Sequence, residues 1–96
     1  MPAYVIGQIS IKHPEKWAQY RSQVPASIAP YGAELVFRGT QATVLSGDHR
    51  HTDVVVIRFP DAASANAWHD SDEYQALVPL RREAADVDLI QYEAED

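Results

Sequence analysis

Tyr4-Val5-Ile6-Gly7-Gln8-Ile9-Ser10-Ile11 is the stretch on which the reading of the fold turns. In an extended chain Val5, Gly7, Ile9 and Ile11 point to one side, and Tyr4, Ile6, Gln8 and Ser10 to the other. β-Branched and aromatic residues on both sides predict a strand whose two faces are largely covered. Next, His13-Pro14-Glu15 opens a helix, because proline at the first helical position gives up an N–H that would have had no partner there. Trp17, Tyr20, Val24, Ile28 and Tyr31 then recur at helical spacing and form one apolar stripe. The helix is expected over about residues 14 to 30, kinked at Pro25 and closed by Pro30 and Gly32.

Residues 34–38 read as a second strand, with Leu35 and Phe37 on one face and Val36 and Arg38 on the other. A bulge or bend is expected at Gly39-Thr40, with extended chain resuming from 42 to 45. A short polar turn at 46–52 leads into a third strand at 53–59, and the two strands form a hairpin. Asp61 is the expected N-cap of an alanine-rich helix carrying Trp68. His69-Asp70-Ser71-Asp72 breaks that helix, and Asp70 or Ser71 caps a short one on which Tyr74, Leu77, Val78 and Arg81 share a face. Residues 87–92 form the last strand.

This order, βαββαβ, implies two split β-α-β units. Right-handed crossovers put both helices on one face of a four-stranded antiparallel sheet, an α+β fold of ferredoxin-like form. The other face also carries Tyr4, Ile6, Val54 and Val56. A monomer would expose more apolar surface than the few hundred Å² usually tolerated. A homodimer with two sheets face to face is the expected solution.

Composition bounds the rest. Residues 1–96 make one domain. With no cysteine there are no disulfides, thiolate metal sites or cysteine nucleophiles. Eight Lys and Arg against 14 Asp and Glu give a net charge of −6, which disfavours nucleic acid and anionic membrane as partners. No apolar run is long enough to span a bilayer, and the opening Met1-Pro2-Ala3-Tyr4-Val5 lacks a signal-peptide pattern. A cytoplasmic protein is the expectation.

Two further runs carry a resemblance. One is Ala29-Pro30-Tyr31-Gly32-Ala33-Glu34-Leu35-Val36-Phe37-Arg38-Gly39. The other is Val56-Ile57-Arg58-Phe59-Pro60, followed by Ala67-Trp68-His69-Asp70-Ser71-Asp72-Glu73-Tyr74 and by Leu80-Arg81. Together they resemble the DUF1330 family, small proteins of the dimeric α+β barrel superfamily with a ferredoxin-like protomer. The resemblance implies the fold and no general activity. The superfamily includes cofactor-free monooxygenases, haem-degrading enzymes and lactone isomerases, with ligand pockets between sheet and helices. The chain departs from the family pattern at Thr40, where a second glycine is usual, at Arg58, where an acid is usual, and at His69, where an aromatic is usual. All three bear on the pocket, and likeness of fold is an analogy for function rather than evidence of it.

Several residues are candidates for chemistry. Arg38, if it faces the covered side, is either a clamp for a substrate carboxylate or enolate, or one half of an ion pair with Glu34, Glu73 or another acid. Trp68, His69, Ser71 and Tyr74 gather at a helix break, where an aromatic wall with hydroxyl and imidazole groups suits a small organic acid or aromatic ligand. His69 is the candidate general base. The plainer alternative makes Trp68 core, Ser71 a cap and His69 solvent-facing. Arg81 shares the face of Tyr74 and is a further binding candidate, while Tyr20 and Tyr31 read as core aromatics. His49 and His51 are tempting metal ligands, but two ligands do not close a site, and an ordinary turn is the better reading. No phosphate loop, dinucleotide fingerprint or nucleophile elbow is present. The expectation is a small enzyme with no cofactor and no metal, a monooxygenase or isomerase acting on an oxygenated organic molecule. The alternative is a non-catalytic dimeric binding or regulatory module.

Overall fold

In the computed structural model, which describes residues 1–95, the opening stretch is strand β1 (Ala3–Ile11). Residue 96, the end of the expected domain, lies outside the described residues. Helix α1 (Pro14–Ile28) follows, with Pro14 in its first turn and the His13 ring accepting from the Lys16 N–H at 3.3 Å. The helix runs through Pro25, and a 3-10 turn (Ala29–Tyr31) ends at Gly32, whose φ of 69° suits a residue without a Cβ. Strands β2 (Glu34–Thr40) and β3 (Asp53–Phe59) come next, then helices α2 (Ala62–Asp70), α3 (Asp72–Gln75) and α4 (Val78–Ala84), and finally β4 (Ala85–Glu93). The sheet order is β2-β3-β1-β4, with every neighbouring pair antiparallel. This is the expected four-stranded α+β arrangement.

Register separates the two faces of the sheet. On the helix side Gly7 lies between Val55 and Leu89, and a Cβ added there would meet Val55 Cγ1 at 2.8 Å. On the open side Ile6 lies between Val56 and Ile90, and Tyr4 between Arg58 and Tyr92. The core under the helices is an aromatic column. Phe59, Trp68 and Tyr74 are fully buried, with ring centroids 5.4 Å and 4.2 Å apart along the series. The Trp68 indole N–H donates to the buried Ser27 hydroxyl at 3.1 Å.

Three expectations from the sequence are corrected. The β-bulge lies between Leu35 and Phe37, not at Gly39-Thr40, and β2 continues to Thr40. Because Val36 is the extra residue, Leu35 and Phe37 fall on opposite faces, and Arg38 pairs with Val55 on the helix side. Residues 41–52 are a long irregular connection rather than resumed strand and short turn, held near its start and end by Gln41 N–H to Thr52 O and by Thr52 N–H to Ile9 O. The last strand begins at Ala85, directly after α4.

Candidate functional site

The bulge at Val36 decides what the cleft between α1 and the sheet contains. With one residue taken up, Arg38 turns under α1 and becomes a wall of a cleft of about 400 Å³ shared with Trp17, Arg21, Thr40, Asp53 and Val55. Two further hollows along α1 also reach Arg38. Among the described residues neither Arg38 nor Arg21 has a carboxylate within 4.0 Å; Glu34, one partner weighed for Arg38, pairs with Arg58 at 3.7 Å instead. Burial, and then the neighbouring Arg21 cation, pull the Arg38 guanidinium below its usual pKa. It stays protonated, as an arginine does in proteins, so its charge is held where an anion would relieve it.

Asp53 supplies the carboxylate in that cleft, and both its oxygens are engaged: Thr40 Oγ1 donates to one at 2.9 Å and Thr52 Oγ1 to the other at 2.8 Å. Arg21 and Asp53 were not among the candidates read from sequence. Arg21 could have been found as the residue one helical turn beyond Trp17; Asp53 becomes notable only once the register sets it opposite Thr40.

The remaining candidates lie elsewhere. Trp68 and His69 border a separate hollow of about 200 Å³ between α2 and β4, lined also by Val5, Leu89 and Gln91. His69 is exposed, with its Nδ1 3.7 Å from Asp70. Ser71 is the N-cap of α3: its hydroxyl donates to Trp68 O at 2.6 Å and accepts the Tyr74 N–H at 3.2 Å. Tyr74 is 0% exposed, and its hydroxyl accepts from Arg81 Nη1 at 2.8 Å and meets the Tyr20 hydroxyl at 2.8 Å. Desolvation, reinforced by Tyr74, pushes the Tyr20 phenol far above its ordinary value, so it is neutral at any physiological pH. The structure thus gathers Trp68, His69, Ser71 and Tyr74 at the helix break, with the Tyr74 ring centroid 4.2 Å from that of Trp68 and 5.6 Å from that of His69, adds Arg81 through the Tyr74 hydroxyl, and puts Arg38 with Arg21 in another place. His49 and His51 have ring centroids 5.8 Å apart, and among the described residues no group of three or more His, Asp or Glu is arranged to hold a metal. No helix among them is long and apolar enough to cross a membrane.

Solved structures share this architecture. A protein of unknown function from Rhodopseudomonas palustris, RPA0582, superposes with a TM-score of 0.81 at 19% identity, covering 99% of this chain and 83% of that one. A dimeric ferredoxin-like protein of unknown function from Jannaschia sp. CCS1 matches with a TM-score of 0.80 at 10% identity, over 98% and 100%. SnoaB, a cofactor-independent oxygenase from Streptomyces nogalater, matches with a TM-score of 0.71 at 9% identity, over 99% and 94%. At such identities the likeness is one of fold. No curated protein matches the sequence. A family model does match, across residues 2–94, and the chain belongs to that family, DUF1330, a domain of unknown function.

Proposed function

We propose that this protein binds a small oxygenated organic anion in the cleft under α1 and acts on it without a cofactor, as a monooxygenase or an isomerase. The observation that carries this reading is the pair of guanidinium groups, Arg38 and Arg21, facing one cleft of about 400 Å³ with no carboxylate within 4.0 Å of either among the described residues. Such a site holds a carboxylate, and it stabilises an enolate or phenolate more than the neutral group from which that charge develops. Trp17 offers an aromatic wall and Asp53 a carboxylate for proton transfer. The fold shared with a cofactor-independent oxygenase supports the reading by analogy alone. A second reading, a binding module without turnover, is favoured by the two hydroxyl donors that already occupy Asp53.

The working form in this proposal is a homodimer joined through the open sheet face. Phe37, Ile90 and Tyr92 stand about half exposed there, beside Tyr4, Ile6 and Val56. Light scattering should return twice the 10.7 kDa protomer mass at micromolar concentration; a monomer removes this part. For the site, titration calorimetry with a panel of aromatic and aliphatic carboxylates should find binders that weaken tenfold or more in Arg38→Ala and in Arg21→Ala, by the usual strength of a charge-assisted hydrogen bond. His69→Ala should leave them unchanged. Binders indifferent to both arginine substitutions, or no binder at all, would refute the site. Oxygen uptake and NMR of the bound acid then separate oxygenase, isomerase and binder.

A further inference from the structure

At the Ser10 end of the open face, four residues along β1 from Ile6 and so beyond the apolar patch proposed to meet a second copy, lies a second cluster, built from three distant parts of the chain. His51, 4% exposed, ends the irregular connection 41–52 and is folded against β1 and β4. Its Nδ1 lies 2.9 Å from Ser10 Oγ, and its Nε2 lies 2.9 Å from Asp88 Oδ2. A neutral imidazole satisfies both contacts in one tautomer only, because an ionised carboxylate cannot donate. Nε2 therefore carries the proton and donates to Asp88, which leaves Nδ1 unprotonated and facing the serine hydroxyl. The His51 hydrogen bond is also the first reason the Asp88 carboxyl is held below the usual carboxylate range, with the Arg50 guanidinium at 3.5 Å adding to it. Hydroxyl, unprotonated ring nitrogen and orienting carboxylate stand in the series that activates a serine. Ser10 is half-buried and Asp88 exposed, so the hydroxyl is not sealed in the core. None of these residues borders the Arg38 cleft.

We propose that Ser10 is a nucleophile, with His51 as its general base and Asp88 as the residue that positions the imidazole, and that it accepts acyl groups from small uncharged carboxylic esters. Asp86 lies directly across from Ser10 in the β1–β4 register, with Asp88 two residues on; Arg50 reaches both, at 4.0 Å and 3.5 Å, and Lys12 reaches Asp86 at 3.9 Å, so the cations beside Ser10 are already paired and offer an anionic acyl donor no free counter-charge. In the step, Ser10 Oγ bonds to the ester carbonyl carbon while His51 Nδ1 takes the hydroxyl proton. The bond from that carbon to the alkoxy oxygen breaks, and His51 returns the proton to the departing alcohol. Water then attacks the acyl-serine by the same route, giving the free acid and restoring Ser10.

The test uses p-nitrophenyl acetate on the purified full chain, read by intact mass and by peptide mapping. One acetyl group should appear on Ser10 and be missing from that position in Ser10→Ala. Acylation should slow about 100-fold in His51→Gln, the low end of what a general base contributes. Asp88→Asn should slow it about tenfold and remove the downfield His51 Nε2–H proton resonance, with the circular dichroism spectrum unchanged. If His51→Gln does not fold, Asp88→Asn decides the matter through the same rate. A cluster that merely pins the 41–52 connection leaves Ser10 unmodified in the wild type. That result, or acetylation confined to lysines, or a rate the same in the substituted chains as in the wild type, overturns the proposal.

Discussion

Replacing Tyr74 by Phe tests how the buried hydroxyl chain is organised, because Tyr74 is its middle member. Arg81 Nη1 donates to the Tyr74 hydroxyl at 2.8 Å, and the Tyr20 hydroxyl is its other partner at 2.8 Å. Tyr74 is 0% exposed and Tyr20 6%, so water does not readily replace a lost partner. Tyr20→Phe removes one neutral hydrogen bond and leaves Tyr74 still bonded to Arg81, a loss of about 1 kcal/mol. Tyr74→Phe removes both bonds and strands the Tyr20 hydroxyl in the core. One lost bond plus an unpaired buried hydroxyl amounts to about 2–4 kcal/mol; the half-buried Arg81 recovers its share from solvent. In the Tyr74→Phe background, Tyr20→Phe removes the stranded group, so there the second substitution is neutral or stabilising. Urea denaturation at one fixed protomer concentration measures all four proteins, and fixing the concentration keeps any association from entering the comparison. For a chain of this size each kcal/mol also moves Tm by about 4–8 °C. Equal losses for the two single substitutions, or strict additivity in the double one, would refute the chain as described.

Ser27→Ala should lower stability by about 1–3 kcal/mol in the same assay, because the Trp68 indole N–H, 3.1 Å from the Ser27 hydroxyl, is left unpaired in the core; a change within error would show that another acceptor takes over. Gly7→Ala should destabilise by about 1–3 kcal/mol, since the new methyl meets Val55 at 2.8 Å and Leu89 at 3.3 Å on a central strand that cannot retreat; a wild-type urea midpoint contradicts this. Acid unfolding should respond to Asp61, whose carboxyl is held below the usual range by its hydrogen bond from the Ser64 backbone N–H at 2.7 Å. A folded value below the unfolded one gives stability that is complete above the ordinary pKa of about 3.9 and lost as pH falls through the folded value. Asp61→Asn keeps a capping side chain but does not titrate, so it should show a shallower acid limb below about pH 4; an unchanged limb would remove Asp61 from the account.

Strand β1 and the stripe on α1 were legible because their apolar residues repeat at the two periods that the backbone imposes, and Pro14, Asp61 and Ser71 announce helix starts through local chemistry. The position of the bulge was not legible. Leu35-Val36-Phe37 is apolar throughout, so no alternation marks which residue is extra, and Gly39 is the more obvious place to break a strand. That Trp68 and Tyr74 are large and buried could be read from sequence; whether they line space or fill it depends on how α2 and α3 close on Phe59. His51 was hidden for a different reason. Its neighbours in sequence describe a polar turn, whereas its partners, Ser10 and Asp88, come from two other strands.

The bulge also explains why the functional features gather where they do. β2 is an edge strand with β3 as its one neighbour, so an extra residue disturbs a single ladder. In β1, paired on both sides, the same insertion would break two ladders and reverse the faces of everything beyond it. Placed at Val36, the shift sends Phe37 to the open face, where an apolar side chain adds to the surface on which a second copy is proposed to pack. In the same stroke it sends Arg38 beneath α1, where a guanidinium meets Arg21 instead of an acid. In regular alternation Leu35 and Phe37 would share the helix side and Arg38 would face outward beside Val54, leaving a cleft with one cation fewer. The central strands therefore hold the scaffold constant, while one inserted residue at the rim determines both which side chains line the cleft and which stand on the exposed face.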